Sequence, residues 1–373
     1  MKVLVVGSGL SGCTISRILK DDGHDVTLIE KKDCIGGLCI TKLNQDGLKY
    51  EPFGARIFHT KSDKIKSFVT RFNDFSSYIH RKGMIINGKM FPFPITKGAI
   101  EGFSEKDKIL NELEGRPAKI DETNFETACI SIFGKTLYSY FISNYTFKMW
   151  GMAPANLNSD WVPKRLELAN DENDTIFMHQ WQGFPRDGYS VFLGKMTKDI
   201  PVELNKTEFD PNGYDIVVFT GPLDKKMNLK FGKLEYRSIK FTHKRDDPWE
   251  NDNYGTINLP QDPKWIRKCN FKVMWDKNAK HNWIQYQEPV AADDDNIEMY
   301  PMDTKKNNDI FDRYLLKICE TNILPAGRLG LFKYLDMDKA VEASFDTVAL
   351  IENYSSLSPE KRYDSIQKMR VKY

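Results

Sequence analysis

Long hydrophobic runs are absent from this sequence of 373 residues, and so is any marked excess of charge. No apolar stretch approaches the ~20 residues that a membrane helix needs. The apolar run that begins at Val3 ends at Gly7, too early for a signal-peptide core. Lys and Arg together number 54 against 52 Asp and Glu, which argues against a nucleic-acid or membrane-surface partner. We therefore expect a cytoplasmic protein that neither spans a membrane nor binds nucleic acid.

Cysteines are few and scattered. None of the six forms a C-x-x-C pair, and no cluster of histidines accompanies them. They are Cys13, Cys34, Cys39, Cys129, Cys269 and Cys319. This spacing argues against a zinc site or a disulfide framework, and it predicts no bound metal. It is typical of a protein from a reducing compartment.

The first thirty residues contain a strand–helix–strand pattern. Residues 2–6 are aliphatic apart from Lys2, which is typical of a buried parallel strand. Residues 10–22 carry apolar side chains at helical spacing, and a second strand runs from Asp25 to Glu30. Because a glycine turn joins the first strand to the helix, the pattern predicts the βαβ unit of a Rossmann-like fold.

That turn, Gly7-Ser8-Gly9-Leu10-Ser11-Gly12, matches the pattern G-x-G-x-x-G. Gly7 permits the tight turn, Gly9 lets the backbone approach a pyrophosphate, and Gly12 lets helix and strand pack closely. The helix N-terminus offers N–H groups and a positive dipole end to the anion. Glu30 stands 18 residues beyond Gly12, where it can bind a ribose hydroxyl. This context favours a dinucleotide site over a glycine-rich turn that happens to precede a surface glutamate.

The segment after Glu30 distinguishes FAD from NAD. Lys31 begins a stretch that ends in Gly36-Gly37, and this stretch resembles flavoproteins with two dinucleotide-binding domains, where the glycine pair lies against FAD. The sequence has no second G-x-G-x-x-G. We therefore expect FAD as the cofactor and no separate NAD(P)H-binding domain.

The remainder of the chain predicts a mixed fold. Residues 84–95 form a hairpin pattern with Asn87-Gly88 at its turn. Residues 96–150 are mostly helical, and residues 234–300 contain strand-like pieces rich in aromatic side chains. The tail after Ser355 is charged, and we expect it to be frayed.

Six further segments, in order along the chain, carry a family resemblance. They are Tyr50 to Thr60, Tyr145 to Gly151, Lys164-Arg165-Leu166, Gln182 to Pro185, Thr220 to Asp224, and Gly327 to Gly330 together with Tyr334 to Asp338. With the fingerprint, they resemble the UDP-galactopyranose mutases from residue 1 to about residue 350.

The resemblance implies a fold and a division of the chain. The fold is α/β: a Rossmann-like FAD-binding domain with an inserted helical bundle and an antiparallel β-sheet domain. The FAD-binding domain is expected in residues 1–80, 196–230 and 318–373. The helical substrate-binding domain, with a mobile loop, is expected in 96–168, and the β-sheet domain in 81–95, 169–195 and 231–317. A homodimer is implied by the resemblance alone.

The resemblance also implies an activity. Such enzymes are isomerases that interconvert the pyranose and furanose forms of a nucleotide sugar, such as UDP-galactose, for cell-surface polysaccharide biosynthesis. N5 of reduced FAD attacks the anomeric carbon, and UDP leaves and later returns. An external reductant, usually NAD(P)H, must first reduce the flavin. A chain with one dinucleotide fingerprint suits an enzyme that uses hydride only for priming.

A departing diphosphate requires cations, and the planar fork of arginine binds phosphate in a bidentate manner. By resemblance, Arg165 lies in the mobile loop and Arg267 faces it across the cleft. Taken alone, either arginine would more often be a solvated surface charge. His59 and Arg56, expected near the flavin and the sugar, complete the predicted catalytic set.

Aromatic residues make up most of the predicted substrate site. Tyr145 and Trp150 resemble the aromatics on the uridine and sugar sides, because an aromatic face can stack on a base. Tyr300 and Tyr334 resemble diphosphate-binding tyrosines, which donate a hydrogen bond without adding charge. The alternative for each is a buried core aromatic. Asn87 and Asp336 complete the set.

Arg328 resembles the arginine beside the isoalloxazine, where a cation stabilises anionic reduced flavin. Asp338 is expected to cap the following helix. The predicted cofactor-binding residues are Gly7, Gly9, Ser11, Gly12, Glu30, Lys31, Gly36, Gly37, Leu38, His59, Arg328, Asp336 and Met337.

Two positions depart from the family pattern. Arg56 stands where bacterial members commonly have histidine, and Ile176 stands near a position where the family often has a diphosphate-binding tyrosine. Losing one phosphate hydrogen bond costs ~1–3 kcal/mol. The hypothesis is that the enzyme handles a modified sugar, for instance one with an acetamido group or lacking a hydroxyl.

Two other functions fit the fingerprint. One is a net-redox flavoenzyme of the amine-oxidase type, in which Arg165, Arg267 and the segment Tyr145 to Gly151 would lack a purpose. The other is a flavin-binding protein with no catalytic activity, which Arg56 and Ile176 would permit.

Overall fold

A parallel five-stranded sheet forms one centre of the protein. The computed structural model describes residues 1–159, 175–177, 179, 181–293 and 296–373. In spatial order, the strands are Ile323–Pro325, Ile216–Phe219, Lys2–Val6, Asp25–Ile29 and Val202–Glu203. Each neighbouring pair is parallel. The aliphatic run in Lys2–Val6 is buried because that strand lies in the middle of the sheet.

Helices cover this sheet and share its hydrophobic core. Leu10–Asp21 follows the glycine turn and packs along Met337–Tyr354. Buried residues of these helices and of the parallel strands belong to one continuous cluster. The Rossmann-like fold predicted from the first thirty residues is therefore confirmed.

Two more helices belong to the same core. Tyr189–Met196 contributes Tyr189 and Phe192, and Lys305–Ile318 contributes Phe311. The domain boundaries expected from the family resemblance place most of both segments in the β-sheet domain. Their apolar side chains instead pack beside the parallel sheet.

A seven-stranded sheet forms the second centre. In spatial order, its strands are Tyr300–Pro301, Tyr236–Arg245, Trp283–Ala291, Arg267–Asn270, Thr256–Asn258, Lys82–Ile86 and Lys89–Phe93. Every neighbouring pair is antiparallel except Thr256–Asn258 with Lys82–Ile86. Asn87-Gly88 forms the predicted hairpin turn, in which both residues have positive φ.

The predicted helical segment forms a separate packed unit. Its elements are the 3₁₀ helix Gly98–Gly102, the helices Lys106–Glu114 and Phe125–Leu137, the π-helix Tyr138–Ser143 and the helix Asn144–Trp150. A second hydrophobic cluster joins these helices to the hairpin Lys82–Phe93. The chain therefore reaches Asn144–Trp150 from a helical bundle that rests on the edge of the second sheet.

The remaining elements are short. The helices and 3₁₀ turns are Asp63–Thr70, Pro154–Asn156, Pro211–Gly213, Leu223–Lys226, Phe271–Trp275 and Gly327–Gly330. Two small ribbons pair Lys42–Leu43 with Lys49–Tyr50, and Phe58–Thr60 with Trp181–Gly183. None of the helices in the described ranges combines the length and the apolar character needed to cross a bilayer. All six cysteines are free thiols.

The C-terminal tail is not frayed, so that prediction was wrong. Residues Pro359–Lys372 form a helix that begins at a Ser358 cap. Ile366 and Met369, one turn apart, are buried in the large core. Arg370 donates from Nε to the Leu331 carbonyl at 2.8 Å. The high density of charged residues concealed this narrow apolar face.

Candidate functional site

The glycine turn has the geometry that a dinucleotide requires. Gly7 has a φ of 97°, and a Cβ there would lie 2.2 Å from Thr220 Oγ1. A Cβ on Gly12 would lie 1.9 Å from the Gly7 carbonyl oxygen, so only glycine lets the helix begin this close to the strand. A Cβ on Gly9 would meet no atom of the described residues within 4 Å. The space beside Gly9 at the helix start is thus open to a pyrophosphate.

Glu30 is buried and held in place at the end of its strand. Its Oε2 accepts hydrogen bonds from Ser8 N at 2.8 Å and Ser8 Oγ at 2.7 Å. Its Oε1 accepts from Lys32 N at 3.0 Å. A carboxylate offers about four lone-pair sites, so Glu30 can still accept from a ribose hydroxyl. Lys31 beside it is exposed.

The Gly36-Gly37 pair lies directly against the glycine turn. Gly36 N donates to the Ser8 carbonyl at 2.9 Å. A Cβ on Gly37 would lie 3.0 Å from Gly9 Cα. Both glycines have positive φ, at 121° and 59°. The predicted association of this pair with the cofactor turn therefore has a direct steric basis.

A C-terminal segment closes on the same turn. A Cβ on Gly327 would lie 3.1 Å from both Cβ and Oγ of Ser11. Met337, at the start of the helix after Asp336, packs against the large core. The open cradle at Gly9, the anchored Glu30 and the close Gly327 contact together fit a bound FAD.

Two tyrosines and an arginine form a layered group. The rings of Tyr300 and Tyr334 stack with centroids 5.9 Å apart and planes 17° apart. The Arg328 guanidinium carbon lies 4.7 Å from the Tyr334 centroid, and its Nη2 donates to the Leu335 carbonyl at 2.6 Å. Tyr334 Oη donates to Asp336 Oδ1 at 2.9 Å. These four predicted residues therefore lie together.

Arg267 joins this group from the second sheet. Its Nη2 donates to Tyr145 Oη at 2.6 Å. Its Nε is buried and has no hydrogen-bond partner among the described residues. Burial disfavours the charged form of Arg267, but Tyr145, followed by Tyr300, Cys269 and Tyr334, outweighs this effect and raises its pKa. Burial raises the pKa of Tyr145, and the Arg267 charge opposes that shift. Arg267 thus presents a positive charge, with a donor to spare, beside the stacked tyrosines.

Asn258 and Gln287 flank Arg267 on the sheet, and the sequence did not predict either. Both are directly paired with Arg267, on its two neighbouring strands. Directly opposed residues project from the same face of a sheet. Asn258 is 4% exposed, and its Oδ1 has no hydrogen-bond partner among the described residues. Only the strand register, which the sequence does not give, brings these amides to Arg267.

Lys148 fixes the aromatic helix Asn144–Trp150 to the loop before Arg267. Its Nζ donates to three backbone carbonyls, those of Leu259 at 2.7 Å, Asp262 at 2.6 Å and Trp265 at 2.9 Å. Burial lowers the pKa of Lys148 to about 8. By binding three carbonyls of the loop, this ammonium holds in place the helix that carries Tyr145 and Trp150.

Arg237 holds the other end of that helix. Its Nε donates to the Met149 carbonyl at 2.7 Å, and its Nη2 donates to the Lys148 carbonyl at 3.0 Å. Arg237 is also paired with Tyr300 across the sheet edge. Arg237 therefore connects the aromatic helix Asn144–Trp150 to the strand that carries Tyr300. Trp150 is half-buried in the small cluster at this junction.

His59 lies on the short strand Phe58–Thr60. Its Nδ1 is 2.8 Å from Nδ1 of His179, and its ring stacks on Phe177 with centroids 3.7 Å apart. His80 is buried, and burial, followed by Lys82, Arg267 and His59, lowers its pKa well below its ordinary value. His80 also lies against Phe177, with ring centroids 6.0 Å apart. The sequence predicted His59 but neither of the other two histidines.

Arg56 and Glu51 belong to the segment Tyr50 to Thr60, which also contains His59. Arg56 donates from Nε to the Leu38 carbonyl at 3.2 Å and from Nη2 to the Phe53 carbonyl at 2.9 Å. The Arg56 guanidinium thus connects Leu38, which follows Gly37, to Phe53. Glu51 is fully buried. Burial raises the pKa of Glu51 to about 8, and the Arg56 charge opposes the shift.

Three predicted residues lie apart from this group or have a different role. Arg165 is outside the described residues. Asn87 lies in the hairpin turn, where its Oδ1 accepts from Gln261 Nε2 at 2.9 Å; its role in substrate binding stays a prediction. Asp338 does not cap the helix Met337–Tyr354, because Asp336 occupies the cap position. Asp338 lies inside the first turn, and burial raises its pKa.

Comparisons with known proteins agree with this geometry. A family model described as UDP-galactopyranose mutase matches residues 140–334, and one described as an NAD(P)-binding Rossmann-like domain matches residues 5–72. The "Probable UDP-galactopyranose mutase" of Klebsiella pneumoniae is 30% identical over 363 residues, covering 92% of this chain and 93% of the relative. The dTDP-fucopyranose mutase of Escherichia coli is 28% identical over 374 residues, covering 94% and 98%.

A crystal structure of reduced UDP-galactopyranose mutase has the same fold. It superposes with a TM-score of 0.74 at 15% identity and covers 97% of this chain and 98% of its own. The sequence match over 92% of this chain and the family model over residues 140–334 lead to one conclusion. The chain belongs to the UDP-galactopyranose mutase family of isomerases.

Proposed function

We propose that this enzyme interconverts the pyranose and furanose forms of a nucleotide-linked sugar, and that its sugar is a modified one. The observation that carries the proposal is the group formed by Arg267, the stacked tyrosines Tyr300 and Tyr334, and Arg328. It places two cations around phenol donors, which is the chemistry that a diphosphate requires.

FAD is the cofactor that the glycine turn fits. Gly9 and the N-terminus of Leu10–Asp21 would hold its pyrophosphate, and Glu30 would accept from its ribose. Gly36-Gly37, Leu38, Ser11 and Met337 would line the same segment, with Lys31 at its exposed edge. Reduced FAD, when bound, supplies the nucleophile that the isomerisation needs.

The residues of the chain orient the nucleotide sugar and stabilise the leaving diphosphate. Arg267 contributes charge at a half-buried position, where the attraction to phosphate is stronger than in water. Tyr145 and Trp150, held by Lys148 and Arg237, present aromatic surface to the nucleoside and the sugar. We propose Arg165 as the second diphosphate cation. His59, Arg56 and Asp336 are proposed on the flavin and sugar side, and Asn87 at the substrate.

Arg56 and Ile176 support a modified sugar. The Arg56 side chain is longer than histidine and is fixed by hydrogen bonds to two backbone carbonyls. Unlike histidine, its guanidinium carries a constant positive charge. Ile176 N donates to the His80 carbonyl at 3.3 Å, so the backbone of Ile176 lies beside that of His80. One similar protein is named for a dTDP-linked fucopyranose, a sugar without the 6-hydroxyl. An acetamido group or a missing hydroxyl would suit this environment.

The remaining parts of the proposal concern context. We propose that NAD(P)H reduces the flavin, that the enzyme is a cytoplasmic homodimer, and that its product enters cell-surface polysaccharide synthesis. We also propose three domains, with Tyr189–Met196 and most of Lys305–Ile318 moved to the FAD-binding domain because they pack in its core.

A substrate panel tests the choice of sugar. The reduced, FAD-loaded enzyme is given UDP- and dTDP-linked galactose, 6-deoxygalactose and N-acetylgalactosamine, and furanose formation is followed by NMR. We expect a modified sugar to be preferred at least tenfold in kcat/KM, and the double variant R56H/I176Y to shift preference toward UDP-galactose. Clear preference of the unaltered enzyme for UDP-galactose would contradict the proposed specificity.

A further inference from the structure

Two buried glutamines, Gln285 and Gln287, lie on the strand Trp283–Ala291 of the second sheet. They are two residues apart, so their side chains project from the same face of the sheet. Gln285 is 0% exposed and Gln287 is 5% exposed. Gln287 is directly paired with Arg267 on one neighbouring strand and with Phe241 on the other. A buried amide needs hydrogen-bond partners within the protein or in a ligand.

The backbone of another segment fixes the orientation of Gln285. Its Nε2 donates to the Glu51 carbonyl at 2.9 Å and to the Pro52 carbonyl at 3.3 Å. Backbone carbonyl oxygens only accept hydrogen bonds, so the opposite orientation would turn Oε1 of Gln285 toward two other acceptors. These two carbonyls therefore determine which end of the Gln285 amide is the nitrogen.

Gln285 in turn fixes the orientation of Gln287. Oε1 of Gln285 accepts from Nε2 of Gln287 at 3.0 Å, and the same nitrogen is 3.5 Å from Sγ of Cys269. Cys269 and Gln285 are directly paired, so both partners lie in one row of the sheet and meet the nitrogen edge of the Gln287 amide. Oε1 of Gln287 lies on the other edge, where no described residue donates a hydrogen bond to it.

Gln287 lies between the residues proposed for the diphosphate and those proposed for the sugar. Arg267 is its neighbour in the same row of the sheet. On another side, a Cβ on Gly54 would lie 3.4 Å from Nε2 of Gln287. Gly54 belongs to the segment that carries Arg56 and His59. The position of Gln287 therefore favours the sugar as the part of the ligand that it meets.

The chemistry of the amide oxygen decides which kind of group can bind there. A diphosphate oxygen is itself an acceptor and carries negative charge, so Oε1 of Gln287 would repel it. A sugar hydroxyl or an acetamido N–H is a donor and can bind to it. We propose that Gln287 determines specificity by accepting a hydrogen bond from such a donor on the sugar, and that Gln285 is the residue that positions it. This inference rests on the proposed function, because it takes the ligand to be a nucleotide sugar.

Ligand binding to the oxidised, FAD-loaded enzyme tests the proposal, since the reaction needs reduced flavin and the ligand stays intact. The probes are UDP-galactose, UDP-N-acetylgalactosamine and dTDP-6-deoxygalactose, with UDP and dTDP as references without the sugar. In calorimetry, Q287M should bind the tightest of the three sugars about tenfold more weakly and its parent nucleotide less than twofold more weakly. Equal weakening of both ligands, or of neither, would overturn the proposal.

Two further variants complete this comparison. Q367M is the matched control, because Gln367 lies on the last helix and donates to Tyr363 Oη at 3.0 Å. Its affinities should equal those of the unaltered enzyme. FAD content, read from the absorbance spectrum, establishes that each variant is folded. If Q287M does not retain FAD, Q287N replaces it, since it keeps the amide but draws it back by one methylene group.

A double-mutant cycle tests the positioning role of Gln285. Q285M keeps the acceptor of Gln287 but removes the group that orients it, so sugar binding should weaken about threefold. Q285M/Q287M should bind no more weakly than Q287M, because no acceptor is left to position. Additive losses would contradict the role of Gln285. An unaltered enzyme that binds these ligands but forms no furanose after reduction would instead contradict the proposed function, and the binding comparison would still decide the role of Gln287.

Discussion

Arg267 donates to Tyr145, and no carboxylate of the described residues forms a salt bridge with it. A half-buried guanidinium without an acidic partner destabilises a fold unless a ligand compensates it. A diphosphate is such a ligand, and the free Nε is available to donate to it. Arg267 is therefore better explained as a ligand-binding residue than as a residue that stabilises the fold.

Replacing Arg267 by glutamine should weaken UDP binding to the reduced enzyme about 10- to 100-fold, because one or two charge-assisted hydrogen bonds are lost. Isothermal titration calorimetry measures the change. R245Q is the control, since Arg245 pairs with Asp46 on the surface, and its binding should change less than twofold. Equal affinities of R267Q and R245Q would remove Arg267 from the diphosphate site.

Glu51 should make stability depend on pH. Its pKa is raised from 4.5 to about 8 in the folded state, chiefly by burial, so the folded protein binds more protons than the unfolded chain between these values. Stability is therefore fully present below pH 4.5 and is lost as the pH rises through 8. The loss is on the order of 5 kcal/mol.

E51Q removes this titration while keeping the shape of the side chain. Urea unfolding at about pH 5 and about pH 8.5 should therefore show E51Q gaining stability over the unaltered protein at the higher pH. Parallel pH dependence in the two proteins would mean that Glu51 is already ionised when folded.

Individual site residues could be predicted where a motif fixes them. Arg267, Tyr300 and Tyr334 were predicted because short segments around them resemble a family, and their role at the site stays a prediction. Asn258 and Gln287 were missed because only strand register places them beside Arg267. Lys148 was missed because a lysine in a helix carries no sign that three carbonyls converge on it.

At the level of elements, two glycines of the turn between Lys2–Val6 and Leu10–Asp21 have different roles: Gly12 is needed for folding, and Gly9 is expected to be needed for cofactor binding. A Cβ on Gly12 meets the Gly7 carbonyl oxygen at 1.9 Å, whereas a Cβ on Gly9 meets no atom of the described residues within 4 Å. G12A should therefore cost at least about 3 kcal/mol of folding stability. G9A should unfold like the unaltered apoprotein but bind FAD at least about 100-fold more weakly, because the methyl group occupies the pyrophosphate position.

Urea unfolding of the apoproteins and FAD titration by flavin fluorescence measure the two effects. The pair serves as its own control, since each variant adds the same methyl group three residues from the other. Normal FAD affinity in G9A would place the pyrophosphate elsewhere.

The last helix, Pro359–Lys372, offers a test of how the C-terminus is held. Ile366 is fully buried in the large core, whereas Val371 is 84% exposed. I366A should cost about 2–5 kcal/mol of stability because it opens a cavity. V371A should change stability by less than about 0.5 kcal/mol. Thermal unfolding of the two variants distinguishes a docked helix from a frayed tail. A docked helix gives a lower midpoint for I366A than for V371A, whereas a frayed tail would give equal midpoints.

Elements with strong local patterns could be predicted, and those that depend on distant partners could not. The first βαβ unit and the hairpin at Asn87-Gly88 follow from glycine positions and hydrophobic periodicity. The expected boundaries placed most of Tyr189–Met196 in the β-sheet domain, whereas its buried side chains belong to the large core cluster. Its apolar residues alone do not indicate which sheet they meet. The last helix was taken for a tail because its buried face is only a few residues wide.

For the whole molecule, the site lies where two sheets with different tasks meet. The parallel sheet and its glycine turn provide the nucleotide cradle, and the seven-stranded sheet provides Arg267 and its amide neighbours. Arg237 and Lys148 tie the aromatic helix to the second sheet and the loop beside it through side-chain hydrogen bonds, and this helix carries the predicted substrate residues Tyr145 and Trp150.

Counting turnovers per electron pair tests the central claim most directly. The FAD-loaded enzyme is reduced once with a stoichiometric amount of dithionite, without oxygen, and is then mixed with an excess of its preferred nucleotide sugar. The account predicts many furanose molecules per flavin while the flavin stays reduced. One product molecule for each electron pair consumed, with the flavin reoxidised, would contradict it.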